Sequence, residues 1–194
     1  AHPSVPPNSL KDFIAYAKAN PGKLNFASQG NGSLSHVGTA LLEQTTGIEM
    51  THVPYKGSGP AIQDVLAGQV QVFMTTPPSV MQHVQAGKLK AYAVTGKTRH
   101  PGLPNVPTTA EAGLAGFELE AWVGLFAPAG TPPAVVQTLT EKVKAALATP
   151  EAKAVAERTG IEIRYLGPDA LGALVQRETE YWGQVIKAKN IQAD

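Results

Sequence analysis

The chain has 194 residues, 43% of them hydrophobic and 16% charged, with 16 basic against 15 acidic side chains and a formal charge of +1. That is enough chain for one full domain with a core, or for one domain and part of another. The balanced, unclustered charge marks neither a nucleic-acid nor a membrane surface. Without cysteine there is no disulfide, thiol nucleophile or thiolate metal site, and no apolar run approaches the ~20 residues of a transmembrane helix.

The opening "AHPSVPPNSL" carries neither an initiating Met nor a basic-then-apolar targeting segment, so a truncated or processed chain is expected. Residues 9–20 place Leu10, Phe13, Ile14 and Ala17 at helical spacing, with Pro21-Gly22 as the stop. A strand is predicted over 24–28, a helix from Ser33 to Gly47, a strand over 50–55 and a short helix over 60–67. A strand over 69–75, a helix over 78–85 and a strand over 88–95 follow, then a Pro-rich surface loop, "RHPGLPNVPT". Strands alternating with helices predict an α/β fold with a mostly parallel sheet, finished by about residue 120. Beyond "WVGLFAPAGTPP" the pattern is helical over 132–148, 151–159 and 169–189, interrupted by "IEIRY". This second unit is too poor in strands to build its own sheet.

The stretch "NFASQGNGSLSHVGTALL", residues 25–42, is a strand breaking into glycines and hydroxyls before a helix. The first N–H groups of that helix have no intrahelical partner, and the peptide dipoles add roughly half a positive charge there. An anion is one guest for such a turn. The other reading is a plain turn in which Ser33 caps the helix. His36, one turn in, can donate to a bound carboxylate or cap a neighbouring backbone group. The loops 28–36, 55–60 and 74–79 all leave carboxyl ends of predicted strands, where ligands of parallel α/β sheets gather. Lys56 reads as a solvated loop lysine, and Trp122 and Trp182 as packing residues.

Catalytic patterns are missing. "GNGSLS" has Ser35 where a dinucleotide fingerprint needs its third glycine. No Walker-type segment and no G-x-S-x-G elbow occurs, and the five histidines lack metal-site pairing. Binding without chemistry is the expectation: no enzyme, no cofactor and no metal.

"KLNFASQGNGSLSHVGTALLEQTTGIEMTHVPYKGSGPAIQDVLAGQVQVFM" and "GKLKAYAVTGKTRHPGLPNVPTTAEAGLAGFELEAWVGLFAPAGTPP" closely resemble the Bug family, substrate-binding proteins of tripartite tricarboxylate transporters. The resemblance covers essentially the whole chain. It implies a periplasmic, two-domain clamshell of the periplasmic-binding-protein type, a three-layer α/β domain with a mostly parallel sheet plus the helical C-terminal remainder of another. Residues 2–121 would be the complete second domain, and 122–194 the C-terminal part of a first domain whose N-terminal half is absent. Its partners would be a small organic carboxylate and the membrane components of the transporter. Carried over residue by residue, the ligand contacts would fall on Ser28, Gly30, Asn31, Gly32, Ser33, His36 and Thr75. Many relatives carry Asp where this chain has Thr75, which implies a plain or aromatic carboxylate here over an amino acid. Without its N-terminal half the first domain would expose apolar helix faces, implying a second copy, a swapped assembly or a complementing N-terminal segment. A truncated interaction module that transports nothing is the alternative.

Overall fold

The computed structural model describes residues 1–192, so the last two residues of the expected 122–194 segment lie outside the described residues. Helix α1 (Leu10–Ala19) starts where the Ser9 hydroxyl accepts from Asp12 N at 3.1 Å, and it buries Leu10, Phe13 and Ala17 along one stripe. Strand β1 (Asn25–Ser28) follows, then α2 (Leu34–Thr46), closed by Gly47 at φ +69°. Strand β2 (Thr51–Pro54), α3 (Ser58–Leu66), the two-residue β3 (Val72–Phe73) and α4 (Pro77–Gln85) complete the alternation.

The three strands form a parallel sheet in the order β2-β1-β3, with Phe26 opposite His52 on one side and Val72 on the other. Central β1 buries Phe26, Ala27 and Ser28 in succession, the run expected of a parallel strand covered on both faces. Ala27 lies in a core cluster with Ala61, Val65, Val70 and Leu89.

Two predicted strands shrink. The 69–75 strand keeps only Val72–Phe73, because Gln69 N and Val70 N both donate to Asp64 O at the end of α3. The 88–95 strand is reduced to one isolated bridge, Val94 with Thr108. Its backbone is satisfied by irregular segments instead: Lys90 N donates to Ala1 O, Val94 N to Pro107 O, and Leu119 N to Thr95 O.

The chain divides into two compact units: Ala1–Ala121 together with the described residues from Gln184 onward, and Trp122–Gly183. Val185 is the buried residue of the segment that joins the first unit. The second unit holds α5 (Pro133–Leu147), α6 (Pro150–Thr159, with Thr149 as N-cap) and most of α7 (Pro168–Ala188). "IEIRY" forms no strand, and no residue from 122 to 183 is buried. Trp122 is 40% exposed, and Trp182 is partly buried with its indole N–H donating to Glu178 at 2.6 Å.

Candidate functional site

β1 is the pivot of the sheet. Its connection runs to β2 on one side, while β3 lies on the other, which makes the carboxyl ends of β1 and β3 the point where connections diverge, the place at which open α/β sheets bind ligands. The loop leaving β1 needs Gly30 at φ +127° and Gly32 at φ +72°, conformations that side chains rarely adopt. Asn31 sits between them, partly buried.

The hydroxyl protons of this loop have fixed directions, because the Gly30 carbonyl can only accept. Ser28 Oγ donates to it at 3.1 Å and Ser33 Oγ at 2.6 Å. With its proton spent there, Ser33 Oγ accepts from Ser35 Oγ at 3.0 Å, and Ser35 Oγ in turn accepts from Gln29 N at 2.9 Å. Ser28 Oγ also accepts from Gly30 N at 3.2 Å and therefore takes the Nε2 proton of His52 at 2.6 Å. Thus Ser33 stands at the N-cap position of α2 but makes no side-chain cap bond. Ser28, fully buried, lies under the loop. Both hydroxyls hold the loop closed.

His36 is neutral by the same logic. Gly32 N donates to its Nδ1 at 3.2 Å, so the ring proton is on Nε2. Its ring stacks on His52 at 3.8 Å, and His52 stacks on Phe26 at 4.8 Å. Burial holds the His36 pKa below its ordinary 6.5. The folded state therefore favours the neutral ring. Its contribution to stability is complete above pH 6.5 and is lost as pH falls toward the lowered value. An NMR titration of the His36 ring is expected to show a midpoint below 6.5; a midpoint at or above it would contradict the neutral tautomer.

What remains unspent at the mouth of the loop is a set of donors: the first-turn N–H groups of α2, which no Ser33 cap satisfies and no acidic first-turn residue offsets, and His36 Nε2–H. Two residues past β3, Thr75 Oγ1 is buried with no hydrogen-bond partner among the described residues. The 55–60 loop is tied in by Gln29 Nε2 to Ser58 Oγ at 2.6 Å and by Gly57 N to Gln29 O at 3.3 Å. Met74 packs so close to Gly38 of α2 that a Cβ there would lie 2.9 Å from its sulfur. Lys56 is exposed. Sequence reasoning missed His52. The available signal was the pairing of β1 with β2, which sets His52 opposite Phe26.

The model of the tripartite tricarboxylate transporter family receptor matches residues 1–191. The chain is similar to solved structures of Rpa4515 of R. palustris with adipate (34% identity, TM-score 0.89, 98% of this chain and 64% of that one) and of the periplasmic binding protein BugD (35%, 0.88, 100% and 66%). It is similar also to MatC of Rhodopseudomonas palustris with bound malate (36%, 0.87, 96% and 64%). It spans about half the length of most of the curated relatives it matches, 55% of one from Pseudomonas sp. strain P51 that is 42% identical over 186 residues. BugD is a periplasmic binding protein, and this chain shares the fold of these neighbours, with its parallel sheet. The chain belongs to the tripartite tricarboxylate transporter receptor family, that of the Bug proteins.

Proposed function

We propose that this chain is the carboxylate-capturing part of a periplasmic solute-binding protein that delivers a small organic acid to the membrane components of a tripartite transporter. The observation that carries the reading is the cluster of unspent donors at the switch point. Thr75, two residues past β3, is a buried hydroxyl lacking a partner among the described residues, and the N-terminus of α2, which follows the neighbouring strand β1, bears no acid. A carboxylate supplies the missing acceptor and the missing negative charge together. Within this reading, the first turn of α2 presents its backbone N–H groups, His36 donates from Nε2, and Thr75 donates its hydroxyl, while Gly30, Asn31 and Gly32 shape the loop around the ligand. Ser28 and Ser33 serve by holding the loop. Adipate with Rpa4515 and malate with MatC support a dicarboxylate as the class, and Thr75 offers no charge to an amine. Residues 2–121 act as one domain, supported by their core cluster and joined by the described residues from Gln184 onward, and 122–183 act as a portion of another, which shortens the expected 122–194 segment.

The test is titration of the ¹⁵N-labelled protein with adipate and with malate. Amides from Gly30 to His36 and that of Thr75 are expected to move in a saturable way. Absence of saturable shifts there would refute the reading. Thr75→Val is expected to weaken binding about tenfold while leaving the melting temperature unchanged or higher, since it deletes an unsatisfied buried hydroxyl. The exposed Val123, Leu125 and Phe126 favour a second reading, an assembly module; native mass spectrometry showing multimers that take no acid would support it.

A further inference from the structure

His52 belongs to β2, outside the loop, yet both glycines of the loop are held through it. Its Nε2 lies 2.6 Å from Ser28 Oγ, and Ser28 Oγ grips Gly30 by both N–H (3.2 Å) and C=O (3.1 Å). Its ring lies 3.8 Å from that of His36, whose Nδ1 takes the Gly32 N–H. Phe26 closes the stack from β1, so the position of His52 is set by the parallel pairing of β1 and β2. We infer that His52 is the positioning residue of the anion loop: it fixes Gly30 through a hydrogen bond to Ser28 and Gly32 through ring stacking on His36. The inference rests on the carboxylate reading only for its effect on affinity; the loop geometry stands apart from it.

The two arms are chemically separable. A phenyl ring keeps the stack and deletes the hydrogen bond. His52→Phe is therefore expected to raise amide hydrogen exchange at Gly30 about tenfold, to leave Gly32 within about threefold, and to weaken adipate binding about tenfold. His52→Gln returns an N–H donor at similar reach and is expected to bring Gly30 back to within about threefold of the parent protein. His52→Ala removes both arms and is expected to release both glycines. Ser28→Ala removes that hydrogen bond together with both direct bonds to Gly30, so it is expected to release Gly30 further than His52→Phe does and sets the upper limit of the effect. Unchanged Gly30 exchange in His52→Phe, with Ser28→Ala raising it, would overturn the assignment, as would His52→Gln behaving like His52→Phe. If the parent protein takes no adipate, the carboxylate reading fails, while the exchange rates still decide the role of His52.

Discussion

Phe13→Ala is expected to destabilise the first unit by about 3–5 kcal/mol, while Leu139→Ala on α5 is expected to cost less than about 1 kcal/mol. Phe13 is 1% exposed and stacks on Tyr92 at 4.9 Å. Tyr92 is itself enclosed: its hydroxyl donates to Pro7 O at 3.2 Å, and burial pushes its pKa up to about 12. Removing the Phe13 ring leaves a cavity between α1 and the 88–95 segment that neither can fill, and the loss includes both transfer and cavity contributions. Leu139 is 42% exposed, Val135 46% and Val155 47%, so truncating Leu139 removes little surface that was shielded from water. Urea unfolding followed separately by Trp122 or Trp182 fluorescence and by NMR of the β1 amides distinguishes the two variants. Native-state exchange makes the same contrast, with β1 and α2 amides protected on the order of a hundredfold more than those of α5 and α6. Equal protection in both units would show that the helices of 122–183 are buried in solution by something beyond themselves.

Much of this was legible because it is local. The stripe Leu10, Phe13, Ala17 and its Ser9 cap lie within one helix, and the 132–148 pattern became Pro133–Leu147. The helical period is encoded over a few turns even where, as in α5, no residue ends up buried. The extended segment 88–95 failed for the opposite reason. Alternation predicts a pleat but cannot say what receives the N–H groups, and here the acceptors are Ala1 and Pro107, far away in sequence and in no strand. The site divides in the same way. Gly30 and Gly32 announce positive φ, and Ser33-Leu34 announces a helix start. That the Ser28 and Ser33 protons both go to one carbonyl, leaving the first-turn N–H groups of α2 uncapped by Ser33, depends on a single acceptor, Gly30 O, whose place is fixed only once the loop has folded. His52 was hidden because its partners, Ser28 and His36, lie 24 and 16 positions back along the chain and meet it only through the sheet.

The double variant Ser33→Ala with His36→Ala is expected to lower carboxylate affinity at least about a hundredfold with the fold intact. Each change acts on a different contribution. His36→Ala deletes the Nε2–H donor and, with it, the Nδ1 that anchors Gly32 N at 3.2 Å. Ser33→Ala deletes the 2.6 Å bond to Gly30 O and strands the Ser35 hydroxyl, which loses its acceptor. A hydrogen bond to a charged group is worth about 1.5–3 kcal/mol when its partner is removed, and one such loss with a loosened loop reaches the ~2.7 kcal/mol that a hundredfold change requires. The fold survives because both side chains are only partly buried, and the core around Ala27, Val65 and Val70 does not include them. Coupling should be visible: since both residues tether the same five-residue loop, the two single variants are expected to sum to more than the double. An NMR titration with adipate on all four proteins, with far-UV circular dichroism as the check on folding, measures this. A double variant that binds as the parent does would move the carboxylate away from the β1–α2 loop altogether. Strict additivity would instead mean that His36 and Ser33 act on the ligand independently, and that the hydroxyl relay through Gly30 O contributes nothing to capture.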